Sequence, residues 1–113
     1  MYTDTLPPVS NRATFEEAVQ CFDDEQNAPL DISEATEILV EIADCGRAVL
    51  SARLSAGQVF IAETVGVFSF VFSAEQMGYL CAKTYDFNVL VTAGGETTQA
   101  MAAQLPVING YDR

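Results

Sequence analysis

The chain of 113 residues contains no histidine and no tryptophan, and only five of its residues are basic. Without histidine it lacks the commonest general base and the commonest metal-ligating side chain, which excludes most familiar catalytic triads. No glycine-rich phosphate loop and no nucleophile signature compensates. We therefore expect no catalytic residue, no cofactor-binding or metal-binding residue and no small-molecule substrate. The shortage of basic residues faces sixteen acidic ones, a formal charge of −11. Such a surface repels a phosphate backbone and an anionic membrane alike, so neither nucleic acid nor membrane is an expected partner. The same charge either serves solubility alone or attracts a basic protein.

Also missing are a run of about eighteen apolar residues and a basic start leading into an apolar core. A soluble chain made in a cytoplasm is the expectation. Cysteine is sparse and odd in number: Cys21, Cys45 and Cys81 lie far apart, without the close pairs of a zinc or redox motif. They read as reduced, mostly buried thiols acting as small core residues.

What is present is apolar patterning, since half of the residues are hydrophobic. The clearest stretch runs from Gly66 to Val91. Phe68, Phe70 and Phe72 fall on one side of an extended chain and Ser69 and Ser73 on the other, because side chains alternate at period two. Ser73 followed by Gln76 is a capping-box start for a helical turn in which Met77, Leu80 and Cys81 share a side. Beyond it Tyr85, Phe87, Val89 and Val91 alternate with Asp86, Asn88, Leu90 and Thr92, a second strand.

The other segments arrange themselves around this stretch. Residues 1–12, with Pro7 and Pro8, read as an extended arm that either frays or orders against a neighbouring subunit. Phe15, Ala18, Val19 and Phe22 recur at helical spacing, and locally a helix is favoured. A short edge strand with a bulge can also carry them. Thr36 to Asp44 is rich in β-branched residues and places Thr36, Ile38, Val40 and Ile42 on one face. A turn at Cys45, Gly46 and Arg47 joins it to a weaker strand, Ala48 to Leu54, as a hairpin. Gln58 to Ala62 is a further short strand with Val59 and Ile61 opposed to Phe60. Gly94 and Gly95 mark another hairpin, leading into Thr97 to Leu105, whose Ala, Thr and Gln content suits an edge or an interface. Pro106 is expected to limit that strand, leaving Val107 and Ile108 for a last short one.

Residues 23–33 read as turn chemistry, and one sharper alternative spans residues 23–34. Asp23, Glu25, Asn27, Asp31 and Glu34 match positions one, three, five, nine and twelve of an EF-hand calcium loop, with Leu30 at the aliphatic eighth. Position six, where that loop needs glycine for its sharp turn, holds Ala28, and Pro29 after it pushes the backbone toward extended conformations. Adjacent acids such as Glu16 with Glu17 and Asp23 with Asp24 read as solvated faces.

Short strands separated by turn signals roughly every eight to twelve residues predict an all-β fold. The expected form is an antiparallel immunoglobulin-like β-sandwich of about seven strands with one short helical turn between two of them; a small barrel is the alternative. Residues 13–113 form the single domain.

The order of these pieces resembles a known family. PLDIS at Pro29 to Ser33, the strand pair around Gly46, GVFSFVFSAEQMGYL at Gly66 to Leu80, TYDFNVLV at Thr84 to Val91, the glycine pair and the closing PVINGYDR at Pro106 to Arg113 resemble the small immunoglobulin-like β-sandwich domains of tailed-bacteriophage virion proteins, of baseplate, tail-fibre-attachment or neck type. The resemblance covers Phe15 to Arg113. Lys83 departs from it, standing where those proteins carry a glycine ahead of the Thr-Tyr pair. It implies a non-enzymatic structural component of the virion, made in the bacterial host cytoplasm. Its partners would be other virion proteins, met in several copies in an assembly of threefold, sixfold or twelvefold symmetry. A capsid decoration protein of the same fold is the alternative within that class, and a calcium-binding module at residues 23–34 is the alternative outside it. Contacts are expected at the Thr97 to Leu105 strand and at the arm.

Overall fold

The computed structural model describes residues 5–23, 28–29, 32 and 35–109. Its strands, in chain order, are β1 (Val9–Ser10), β2 (Phe15–Gln20), β3 (Phe22–Asp23), β4 (Ala28–Pro29), β5 (Glu37–Asp44), β6 (Arg47–Arg53), β7 (Val59–Ile61), β8 (Val67–Phe72), β9 (Thr84–Ala93) and β10 (Glu96–Ile108). One helical turn, α1 (Ala74–Met77), joins β8 to β9. A five-stranded sheet in the order β1-β10-β9-β5-β6 packs on a three-stranded sheet, β2-β8-β7, and β3 and β4 pair as a separate small hairpin. Every pairing is antiparallel except that of β1 with β10. The fold is an all-β sandwich with one short helical turn.

Its core follows from alternation. Phe68, Phe70 and Phe72 from β8 meet Tyr85, Phe87, Val89 and Val91 from β9 and Ile38, Val40 and Ile42 from β5, all buried. Phe70 is the centre of this layer: its ring lies 5.2 Å from Phe15, 5.8 Å from Phe72, 6.4 Å from Phe68 and 5.5 Å from Phe87 across the sandwich. At one end α1 closes the layer. Ser73 Oγ accepts from the Gln76 amide and the Gln76 side chain accepts from the Ser73 amide, a complete capping box. Met77 and Leu80 are buried beneath it, whereas Cys81, expected on the same side, is exposed.

Two hairpins have two-residue turns with both central residues at positive φ, Cys45 (52°) with Gly46 (81°) and Gly94 (61°) with Gly95 (81°). That twist matches the twist of the flanking strands, which glycine permits at little steric cost.

Three segments depart from the sequence expectation. Phe15 to Gln20 is not the locally favoured helix but the alternative, an edge strand, β2, in unbroken register with β8 from Phe15↔Phe72 to Gln20↔Val67 and without the expected bulge. The Phe15 ring is better buried by the phenylalanine layer than any isolated turn of helix could bury it, so tertiary packing overrides local spacing. Pro106 does not end β10. Val107 N–H donates to Lys83 O at 2.8 Å, so alternate amides face β9, and the position without a donor falls on the arm side. Within β10 a bulge between Gln99 and Met101 reverses the phase. Thr97 and Gln99 are exposed, whereas Met101, Ala103, Leu105 and Val107 are buried.

The connection from β6 to β7 crosses from one sheet to the other and is held by Glu37. Its carboxylate accepts from Ser55 Oγ at 2.6 Å, from Ser55 N–H at 3.0 Å and from Ile38 N–H at 3.2 Å, with Arg53 at 3.9 Å. The Ser55 hydroxyl and amide, ahead of Ile38 and Arg53, hold the Glu37 carboxyl below its ordinary value of 4.5.

Two outcomes follow. Phe70→Ala removes the central ring and is expected to lower unfolding free energy by about 3–5 kcal/mol in urea titration. A carboxyl depressed in the folded state stabilises above its unfolded pKa, and that contribution disappears as pH falls through the folded value. Glu37→Gln should therefore melt below the wild type at pH 7, and the gap should narrow on acidification past pH 4.5. A gap of constant size would contradict the assignment.

Candidate protein-contact surfaces

The two long sides of the sandwich are built differently. On one side the β6–β7 connection and Glu37 close the seam. On the other, β2 is the last strand of the small sheet and nothing among the described residues pairs with its outer edge. Opposite it runs the arm, whose Leu6 N–H donates to Gln104 O at 2.8 Å and whose Val9 and Ser10 pair in parallel with Val107 and Ile108. Asn11 fastens its end, donating from Nδ2 to Leu80 O at 3.0 Å. Between β2 and the arm lies a cleft of about 570 Å³. Leu6 to Ser10 form one wall, residues 13–20 the other, and Phe70, Phe87 and Met101 the floor.

The two regions expected to make contacts thus come together: the arm over Thr5 to Ser10 lies on the far end of β10. The first half of β10, Glu96 to Ala103, has no strand on its outer side among the described residues. β2 is a wall of this site that the sequence does not mark for contacts, because its helical spacing favours a helix over the edge strand. Its inner face carries Phe15, Glu17 and Val19 in register with the phenylalanines of β8, which places the exposed Glu17 opposite the buried Phe70. Neither Glu16 nor Glu17 has an ion pair or hydrogen bond among the described residues. The strong ion pair lies elsewhere: Lys83 Nζ is 2.9 Å from both Asp44 oxygens and 5.5 Å from the centre of the Tyr85 ring. That hydrogen bond lowers the Asp44 carboxyl and raises the Lys83 ammonium. Lys83, the departure from the glycine of the resembled family, thereby ties the β5–β6 turn to the start of β9.

A second surface surrounds β7. Phe60 is 55% exposed, Ile61 36%, and Val65 in the following turn 56%. Phe60 borders a shallower depression with Glu16, Ala18, Ser69 and Val71 on the outer face of the small sheet. The signal in the sequence was two bulky residues in succession within a three-residue strand, which forces one of them outward.

The calcium alternative loses its frame. An EF-hand needs a helix on each side of its loop, but Phe15–Gln20 and Glu37–Asp44 are strands, and Phe22 and Asp23 pair with Pro29 and Ala28 inside the segment itself. Residues 24–27, 30–31 and 33–34 lie outside the described residues.

The cysteines divide. Cys21 is buried, and burial pushes its thiol up to about 11, whereas Cys45 and Cys81 are exposed, against the expectation of mostly buried thiols. Both exposed cysteines lie in connecting segments, one in the β5–β6 turn and one after α1, where no inner face is available to cover them.

No protein-family model and no curated protein matches the chain.

Alkylation of the native protein with iodoacetamide at pH 8 is expected to modify Cys45 and Cys81 and to spare Cys21 until denaturant is added, read by peptide mass spectrometry. Rapid native labelling of Cys21 would show that the β2–β3 corner opens.

Proposed function

We propose that this chain is a non-enzymatic structural component of a tailed-phage virion that works through protein–protein contacts in a symmetric assembly. The observation that carries a contact role is the β7 edge. Three large apolar side chains, Phe60, Ile61 and Val65, stand exposed around one hairpin beside a strand edge that no strand among the described residues pairs with. Apolar side chains gathered on a strand edge suit coverage by another protein, since each regains buried area and the edge regains backbone hydrogen bonds. The virion setting rests on the resemblance carried by Gly66 to Leu80, Thr84 to Val91 and Pro106 to Arg113. The acidic surface fits an assembly partner of opposite charge and keeps free copies apart before assembly.

The test is mass spectrometry of purified particles from the phage or prophage that encodes the chain. The protein should be present at a copy number that is a multiple of three, and its fraction (tail, neck or head) separates a tail component from a capsid decoration protein. Purified alone, it is expected to sediment as a monomer. Phe60→Ser should change stability by no more than about 0.5 kcal/mol, as for an exposed position, yet reduce incorporation into particles. Absence from particles, or a self-sufficient ring in solution, would overturn the reading.

A further inference from the structure

The cleft beside β2 supports a more specific assignment. We propose that it seats a basic, extended segment of a partner protein, added as a strand along the free edge of β2. This deepens the contact role proposed above and rests on it, although its first test needs no particle.

The backbone geometry comes first. Cys21 N–H donates to Gly66 O at 2.7 Å, on the side of β8. Amides alternate along a strand, so those of Gln20, Ala18 and Glu16 point away from β8, toward the cleft side. They form a row of donors without a strand partner among the described residues. An incoming strand would satisfy that row and send every second side chain inward, against the half-buried Leu6, Val9 and Val19 that line the cleft above the buried Phe70, Phe87 and Met101.

Charge selects the occupant. Glu17 stands on the inner face at the mouth of an apolar cleft and Glu16 on the outer face. A lysine or arginine on the incoming strand can lay its methylene stem along the half-buried Val19 and Leu6 and bring its cationic head to Glu17, while its neighbour on the opposite face meets Glu16. A second copy of this chain fits worse. Pairing β2 with β2 gathers two carboxylates from each copy on one short seam, between molecules that each carry −11. A competing explanation makes Glu17 an inward-pointing charge that only guards an open edge against pairing. A guard needs a charge of either sign, whereas recognition needs a negative one.

The probe is an amidated peptide, Thr-Val-Thr-Lys-Lys-Val-Thr-Val, titrated into the isotope-labelled full chain at low salt, with the lysines replaced by glutamates as control. The expected result is a Kd on the order of 1 mM or tighter for the lysine peptide. Amide shifts and exchange protection should be concentrated at Glu16, Ala18 and Gln20. Ala18→Pro removes only an outward-facing N–H, which an edge strand tolerates. It should leave the melting transition close to wild type and weaken binding by at least about tenfold. The double variant Glu16→Lys with Glu17→Lys should prefer the glutamate peptide. Shifts confined to β6 or β7, equal binding of the two peptides, or undiminished binding by Ala18→Pro would each overturn the assignment. In particles, carbodiimide cross-links from Glu16 or Glu17 should reach a partner lysine. Particles that contain the chain but never yield those cross-links would leave the assembly role standing and remove the cleft as its site.

Discussion

Everything in this fold is registered to the ring of Phe70. Four other phenylalanines from three strands approach it, and each buries an apolar side chain worth about 1.5–3 kcal/mol. Phe15 comes from the edge strand, Phe68 and Phe72 from the same strand as Phe70, and Phe87 from the opposite sheet. The ring therefore couples β2, β8 and β9 at one point. A slip of one residue in β8 would turn its three rings to solvent at once, so the β7–β8 turn on one side and the capped turn α1 on the other serve this layer before anything else. The bulges serve it too. Gln99 faces out and Met101 faces in only because an extra residue intervenes, and without it the second half of β10 would show its apolar side to water.

Legibility in the sequence follows the same logic. Where one face is wholly buried, as in β5, β8 and β9, alternation is strict and the strands can be read residue by residue. The capping box at Ser73 and Gln76 and the glycine pair at Gly94 and Gly95 are equally local, since the atoms involved lie within a few residues of one another. Legibility failed where a distant element decided the outcome. Phe15, Ala18 and Val19 have helical spacing, and only the waiting layer of β8 makes them a strand. Pro106 looks like a stop until the arm is known to lie on the side where its missing donor would point. Cys81 follows Leu80 in sequence, but the chain has already turned outward. The cleft was half visible: the arm and β10 were marked for contacts, and β2, its other wall, was hidden by the same misleading spacing.

The difference between the two seams is the part of the architecture that bears on function. At the β6–β7 seam the chain itself crosses between sheets, and Glu37 collects three hydrogen bonds there. At the other seam the chain crosses too, from β1 in the large sheet to β2 in the small one, but among the described residues no strand pairs with the outer edge of β2. The arm reaches only the last residues of β10, and the cleft lies over Phe70 and Phe87, which the core already buries.

A carboxylate is a poor choice for lining such a gap if the gap is to stay empty or to take a greasy ligand, since it keeps water at the mouth and weakens any purely apolar contact. It is a good choice if the occupant brings its own cation. The attraction then adds rate and orientation to a contact whose affinity comes from buried rings and backbone hydrogen bonds. The same charge discriminates against the most abundant wrong partner, another copy of this acidic chain. With sixteen acids and five bases in the whole sequence, selection against self-association is a property of the entire surface. Glu16 and Glu17 bring it to bear at the edge of β2.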